Sequence, residues 1–377
     1  MSLLIPQLAL LIAFSPMSTT VQKTTQKSET QSVSTWVMTD DNQTRRIEIR
    51  GKAEFNDEYT DVISVSEGGS VRVEEKIGGV SRRYEVRKAN TQLLRAYYVN
   101  GSARPIDDNA KKWIAQLVLE AVRQGGFDAD VRVQRILSRG GIKAVLAEID
   151  LVHSDYAKRL YFQSLIKHGD LDVAGLQDLL RQAAKQISSD YEQAELLLAI
   201  APVMVGKEGV TTTYFNAVNT INSDYEHGRV LTAVLETLPA NHELLIQVAE
   251  STKTIHSDYE KAGVLKRAAN VYVDDPALRR VFFQTISSIE SDYEHRGVLS
   301  ALLKSKRLSS DLLSSLLESA TTLSSDYEKA TFLLEASNAY SADPVLKNAF
   351  LKAVESIKSE YERGRVLSTL LKNKQIG

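Results

Sequence analysis

The chain has no cysteine, which excludes disulfide bridges, thiolate nucleophiles and cysteine-ligated metals. A cysteine-free chain also fits an oxidising compartment. An excess of one charge is missing too: 46 Lys+Arg against 48 Asp+Glu leave a formal net charge of -2, so no basic field advertises nucleic acid. There is no Gly-rich phosphate-cradling loop, no Gly-x-Ser-x-Gly elbow and no His-Glu-x-x-His helix. His242-Glu243 runs into Leu244-Leu245-Ile246 without the second histidine a zinc helix needs. Long hydrophobic runs are scarce. The one at the N-terminus, Leu3 to Phe14, has signal-peptide length and is short for a bilayer span. Ala13-Phe14-Ser15 offers a cleavage pattern, although no Lys or Arg precedes the run and Pro16 follows it.

These features predict a signal peptide or short anchor over residues 1–18 and an extracytoplasmic location. A cytoplasmic protein is the alternative if the apolar segment is not a signal. Residues 19–35, rich in Ser, Thr and Gln, predict a flexible tether. The rest has an ordinary globular composition, 43% hydrophobic and 25% charged, so a folded chain is expected.

What is abundant is repetition. A motif built on Ser-Asp-Tyr-Glu recurs with its tyrosines at Tyr156, Tyr191, Tyr225, Tyr259, Tyr293, Tyr327 and Tyr361, a first step of 35 residues and then steps of 34. A constant period in this range marks stacked supersecondary units. The motif is also a helix start. A serine N-cap accepts a hydrogen bond from an unpaired backbone N–H of the first turn, and a glutamate three residues on completes a reciprocal capping box. The pairs are Ser189/Glu192, Ser223/Glu226, Ser257/Glu260, Ser291/Glu294, Ser325/Glu328 and Ser359/Glu362. Ser154 keeps the cap but has Ala157 in the glutamate position, a degenerate first copy. The aspartate adds negative charge where the helix dipole favours it.

Counting from the serine, positions seven, eight and eleven are mostly apolar, as in Leu196, Leu197 and Ile200 or Val298, Leu299 and Leu302; these share one helical face. Position five is usually small, and the tyrosine is placed beside it, at the edge of the stripe. A second helix ends on an aliphatic residue two places before each serine: Ile187, Ile221, Ile255, Ile289, Leu323 and Ile357. Each unit is therefore an αα-hairpin that buries its apolar face only by stacking on its neighbours. A 68-residue superperiod overlies the first, visible in Asp275-Pro276 against Asp343-Pro344 and in alternating leucine-rich and alanine-rich helices. Alternate interfaces should differ in side-chain size.

Before the helices lies a different pattern. Arg46 to Arg50, Val71 to Glu74 and Arg83 to Arg87 alternate polar and apolar residues with period two, as half-buried strands do. Gly68-Gly69, Gly78-Gly79 and Asn100-Gly101 supply hairpin turns. This predicts an antiparallel meander of five or six strands from about Trp36 to Pro105. The amphipathic segment Asp108 to Val122, through Trp113 and Leu117, is its covering helix, and Trp36 and Trp113 are fold residues. The fold class is thus α+β: an antiparallel β domain over 36–125, then a HEAT-like α-solenoid of about seven hairpins over 126–377.

The runs Asp61 to Gly69, Ile77 to Arg83 and Asn100 to Pro105, followed by the Ser-Asp-Tyr-Glu hairpins, resemble an extracytoplasmic module of bacterial proteins. In those proteins the module is fused behind the membrane metallopeptidase of antibiotic-sensing, receptor-type families. The resemblance covers Ile47 to the C-terminus and implies a sensor or scaffold role. Peptidase activity does not carry over, because the zinc motif and membrane spans are missing from this sequence.

Direct search for chemistry adds little. Capping accounts for the repeated carboxylates without acid/base or calcium roles. His227 and His295 occupy matching positions and read as solvated framework residues; His153 and His256 share the residue before the cap. The tyrosines read as aromatic spacers between hairpins rather than as an exposed ladder. No catalytic, cofactor-binding or metal-ligating residue is expected, and no nucleic-acid partner. The leading expectation is a non-catalytic exported scaffold or sensor that binds a protein or peptide on the solenoid. The alternative is a cell-envelope hydrolase with its site at the junction of β domain and solenoid, recognisable by carboxylates with strongly shifted pKa in a polar pocket.

Overall fold

The computed structural model describes residues 20–27, 32–40, 42–207, 209–304, 308–337 and 344–372. The expected signal segment, 1–18, and the cap at Asp343 lie outside them. Contacts divide the chain into two compact units, one comprising residues up to Ile136 together with Ala147–Tyr161, the other Leu137–Leu146 together with the chain from Phe162 onward. No helix among the described residues is long and apolar enough to cross a membrane.

In the first unit the strands are β1 (Thr20–Lys27), β2 (Ser32–Asp40), β3 (Gln43–Arg50), β4 (Ala53–Phe55), β5 (Val62–Val65), β6 (Ser70–Ile77), β7 (Val80–Ala89), β8 (Gln92–Val99) and β9 (Ser102–Arg104). Seven form one antiparallel sheet in the order β1-β2-β3-β6-β7-β8-β9, and β4 pairs with β5 apart from it. The sheet is a meander interrupted once, and it begins earlier than the sequence pattern indicated. Part of the expected tether is strand: β1 pairs along its length with β2, from Thr20 opposite Thr39 to Lys27 opposite Ser32. Polar composition suggested a tether, but Thr20, Val21, Thr24 and Thr25 are β-branched and suit a pleated edge.

Two of the three expected hairpin turns are present; Gly68-Gly69 instead leads from β5 to β6, which do not pair with each other. Gly78 and Gly79 both have positive φ (53° and 82°), as do Asn100 and Gly101 (50° and 79°), which two-residue hairpin turns of this type require. Alternation then sorts the faces: Trp36, Ile47, Ile49, Val71, Val73, Tyr84, Val86 and Tyr97 point into one core. Helix α1 (Asp108–Gly125) covers it with Trp113, Ile114, Leu117 and Val118. Each fully buried large side chain contributes about 1.5–3 kcal/mol. The indole Nε1 of Trp113 donates to Glu75 at 2.7 Å, so the lid is also registered by a polar contact.

Helix α2 (Ala129–Ile149) breaks at Gly141, where φ is 68°, so it is two short helices. It is followed by α3 (Asp155–His168). Ser154 caps α3 although its glutamate is missing: Ala157 N–H donates to its Oγ at 3.3 Å.

The second unit continues through α4 (Val173–Gln186), α5 (Asp190–Ile200), α6 (Thr211–Val218), α7 (Asp224–Thr237), α8 (His242–Thr252), α9 (Asp258–Asn270), α10 (Pro276–Ile286), α11 (Asp292–Leu303), α12 (Ser310–Thr321), α13 (Asp326–Ala336), α14 (Pro344–Glu355) and α15 (Glu360–Lys372). Helices α5, α7, α9, α11, α13 and α15 pack in succession as one layer, and α4, α6, α8, α10, α12 and α14 as the other. This is the two-layer solenoid the period required. The aliphatic residues before each cap, Ile187, Ile221, Ile255, Ile289, Leu323 and Ile357, are all buried. Asp275 caps α10 through the N–H groups of Ala277 and Leu278, with Pro276 at the first helical position, where its missing N–H costs least.

Candidate partner-binding surface

All six motif helices of the second unit start in one layer, so their first turns form a row. In each, the glutamate N–H donates to the serine hydroxyl: Glu192 to Ser189, Glu226 to Ser223, Glu260 to Ser257, Glu294 to Ser291, Glu328 to Ser325 and Glu362 to Ser359, at 3.3–3.4 Å. The caps are therefore as expected, but their second half is different. In five consecutive copies the serine N–H does not go to its own glutamate. It donates to the motif aspartate of the preceding copy: Ser223 to Asp190, Ser257 to Asp224, Ser291 to Asp258, Ser325 to Asp292 and Ser359 to Asp326, at 2.6–2.9 Å. The aspartates also accept from the residue before the serine, as Asp224 does from His256 N–H at 2.9 Å. One carboxylate thus closes a helix start in the next repeat, and the aspartate is a staple rather than only a dipole partner.

The glutamate side chains, released from capping, take cations. Glu226 pairs with Arg229 at 2.7 Å, Glu294 with Lys266 at 2.7 Å, Glu362 with Arg365 at 2.7 Å, and Glu328 with Arg296. Glu260 lies where a Cβ on Gly228 would meet its Oε2 at 3.1 Å, so the small position does admit a close neighbour there. Burial and the nearby Asp224 push the Glu260 carboxyl up.

The tyrosines are not spacers. Tyr191, Tyr225, Tyr259, Tyr293, Tyr327 and Tyr361 are between 53% and 75% exposed. Helix arithmetic gives the reason: at 100° per residue, position two lies about 170° from the centre of the stripe formed by positions seven, eight and eleven. The ring is carried on the far side of the helix, not at the stripe's edge. Tyr156, in the first unit, is half-buried with the Arg159 guanidinium 5.2 Å from its ring. Three arginines of the solenoid line the row in the same way. Arg229 stands 5.8 Å from the Tyr191 ring and Arg365 5.4 Å from Tyr327, each reaching back one repeat, while Arg296 is 5.3 Å from Tyr293 in its own. Such cation–π contacts hold ring and guanidinium together at about 0.5–1 kcal/mol when exposed. Every one of these arginines is also paired with glutamate, so the guanidinium groups beside the rings carry no uncompensated positive charge.

Position four shows a second departure. His227 and His295 are 2% and 4% exposed, not solvated, because position four points along the stripe's centre. Each imidazole Nε2 meets a serine hydroxyl at 2.9 Å, Ser251 and Ser319 respectively. Burial pushes His227 down to about 4, against the favourable charge of Asp224, and also lowers His295, against that of Asp292. In the intervening copies Lys261 and Lys329 donate Nζ to the carbonyls of Ser288 and Ser356 at 3.1 Å, and Gln193 donates to the Ala217 carbonyl at 3.1 Å. These polar pins tie each motif helix to the end of the next outer helix, and they alternate histidine with lysine on the 68-residue superperiod. The exposed His256 lies 3.6 Å from Asp224 through Nδ1.

The first unit offers the contrast an enzyme would need. A polar cleft of about 500 Å³ is lined by Arg45, Glu75, Trp113, Glu120, Gln124 and His153. Its acids are taken: Arg45 bridges Glu75 at 3.0 Å and Glu120 at 2.6 Å. Nearby, burial disfavours the Glu148 anion, yet hydrogen bonds from Arg123 and Arg132 outweigh it and hold that carboxyl below its usual range. A general acid needs the opposite shift. Among the described residues no cluster of His, Asp and Glu could hold a metal ion.

Sequence reasoning placed the serine cap of every motif copy but missed the caps at Asp107, Asp172, Asn241 and Ser309, the staples, the arginines over the rings and the polar pins. The pins had a signal, since position four falls on the apolar face of the same helical wheel. No family model matches the chain, and neither a curated protein nor a solved structure does, so its functional reading rests on the tyrosine row itself.

Proposed function

We propose that this chain is a non-catalytic, exported scaffold or sensor module that binds a protein or peptide partner along the tyrosine row of its solenoid. The supporting observation is a comparison among its own repeats. The pin position, buried in five copies and half-buried in the last, drifts through Gln193, His227, Lys261, His295, Lys329 and Arg363, whereas the exposed position is tyrosine in all six copies. Exposed sites ordinarily accept substitution within about 0.5 kcal/mol, so constancy outside and drift inside favour an outward contact. The six hydroxyls make no hydrogen bond among the described residues. Tyrosine is an enriched binding anchor, and a few such anchors carry about 2 kcal/mol or more each. Export is supported by the apolar run Leu3 to Phe14 and the missing cysteines. The resemblance to extracytoplasmic modules of receptor-type families points the same way.

The test is capture from native cell-envelope extract with the purified chain and with a Tyr225→Ala, Tyr259→Ala, Tyr293→Ala variant. The variant should unfold at the same temperature and retain at most a tenth of the bound partner. Equal capture by both proteins would remove the tyrosine row as the binding surface. Turnover of a peptide or cell-wall substrate, abolished by one Asp, Glu or His replacement in a folded protein, would instead establish the hydrolase.

A further inference from the structure

The face of the sheet turned away from the core carries a charge lattice with one unfilled position. Antiparallel register sets three rows across β3, β6 and β7: Arg46–Glu74–Arg83, Glu48–Arg72–Glu85 and Arg50–Ser70–Arg87. All nine side chains alternate with buried residues of the core, Ile47, Ile49, Val71, Val73, Tyr84 and Val86, and so share the open face. Signs alternate along every row and every strand, with a single exception. Continuing the pattern would put an anion between Arg50 and Arg87, and that place holds Ser70.

The filled positions show what the lattice does with a carboxylate. Glu48 sits between Arg46 at 2.6 Å and Arg50 at 2.8 Å. Glu74 takes Arg72 at 2.6 Å, and Glu85 takes Arg83 at 3.1 Å and Arg72 at 3.6 Å. Five arginines therefore face three glutamates. Arg87 is exposed and neither it nor the Ser70 hydroxyl has a side-chain partner among the described residues. Directly opposed residues lie about 4.5–5.5 Å apart at Cβ, so Arg87 and Arg50, the latter shared with Glu48, flank Ser70, whose short neutral side chain leaves this row without an anion.

We propose that the Arg50–Ser70–Arg87 row receives a glutamate or aspartate side chain from an acidic peptide segment of a partner protein. A carboxylate is planar and offers an oxygen to each of two cations, as Glu48 does by accepting one N–H from Arg46 and one from Arg50. The next residue in the row, opposite Arg87 on β8, is Leu94, 44% exposed, which offers a peptide an apolar contact that a bare anion cannot use. This site is independent of the tyrosine row.

The test measures anisotropy of a fluorescein-labelled peptide Gly-Leu-Glu-Glu-Leu-Gly, of its Gln-for-Glu counterpart, and competition by inorganic phosphate, all with the full chain. The acidic peptide should bind saturably and the Gln peptide at least tenfold more weakly, with phosphate a poor competitor. Arg87→Gln should weaken binding at least tenfold. Ser70→Glu should fill the vacancy from within the chain, abolish peptide binding and raise the unfolding temperature. The proposal is overturned if the acidic peptide does not bind, if Ser70→Glu lowers the unfolding temperature or leaves peptide binding intact, or if phosphate displaces the peptide at equal concentration.

Discussion

Asp224 is the sharpest place to test how the solenoid is held together. Its Oδ1 accepts the His256 N–H at 2.9 Å and its Oδ2 the Ser257 N–H at 2.8 Å, joining the start of α7 to the start of α9. A hydrogen bond to a charged group contributes about 1.5–3 kcal/mol. Both donors are near the surface, and water replaces part of each bond, so Asp224→Ala should cost about 2 kcal/mol in total. Asp224→Asn keeps one acceptor without the charge and should cost about half as much. The loss should fall on the α7–α9 interface, since repeat arrays couple mainly to nearest neighbours. Hydrogen exchange at the Ser257 amide reads that interface directly. A denaturant midpoint alone would not, because a long array need not unfold in two states.

The pH dependence gives an independent check. Burial disfavours the Asp224 anion, but the His256 and Ser257 N–H groups and the His256 imidazole outweigh it and hold the carboxyl below its ordinary value. A depressed folded pKa contributes stability that is complete above the unfolded value of about 4 and is lost as pH falls through the folded value. The gap between wild type and Asp224→Ala should therefore be constant near neutrality and close below about pH 4. Glu260 is the control. A reciprocal capping box would make Glu260→Gln costly, whereas a carboxyl pushed up by burial and by Asp224 predicts a neutral or slightly stabilising change. Unchanged exchange at Ser257 in Asp224→Ala, or a large loss in Glu260→Gln, would refute the staple.

The remaining expectations follow from the same contacts. Ser291→Ala removes the hydroxyl that accepts from Glu294 N–H and should cost about 0.5–2 kcal/mol in a denaturant titration. His227→Gln places in this copy the side chain that Gln193 contributes in another and should fold. The buried histidine titrates at about 4 against about 6.5 unfolded, so wild-type stability should fall between those pH values and the variant's profile should be flatter, as thermal melts across that range would show. Deleting 68 residues should leave a better-folded solenoid than deleting 34. The shorter deletion sets hairpins of the same class side by side, histidine beside histidine or lysine beside lysine, and mismatches the leucine-rich and alanine-rich faces; equal melting temperatures would mean the superperiod carries no packing information.

The parts of this fold that could be read in advance are those written in local chemistry. A serine N-cap needs only its own first turn, so Ser189 to Ser359 were placed correctly one by one. The positive-φ pairs Gly78-Gly79 and Asn100-Gly101 likewise announce their turns from two residues. The strand β1 (Thr20–Lys27) was not legible, because its polar composition is that of a linker and its order comes from pairing with β2. The aspartate staples were hidden for the opposite reason. A capping explanation was already complete within each motif, and nothing local says that a carboxylate will choose an N–H 33 residues ahead over the water in front of it.

The tyrosine row was misplaced by a step that the sequence itself could have corrected. Position two and position four are close in the chain, but a helix sorts them by angle. Four positions from the cap is inside the stripe, and two positions is opposite it. Once the angles are taken, a buried position that drifts and an exposed position that does not become visible without coordinates. Packing explains the first: any polar side chain long enough to reach the next helix end will serve, as imidazole, ammonium and amide do here. Packing cannot explain the second, because a ring more than half in water would lose little by becoming lysine or glutamine. The partner proposed above would supply what packing does not, and the arginines over Tyr191, Tyr293 and Tyr327 leave those rings open to it on their far side.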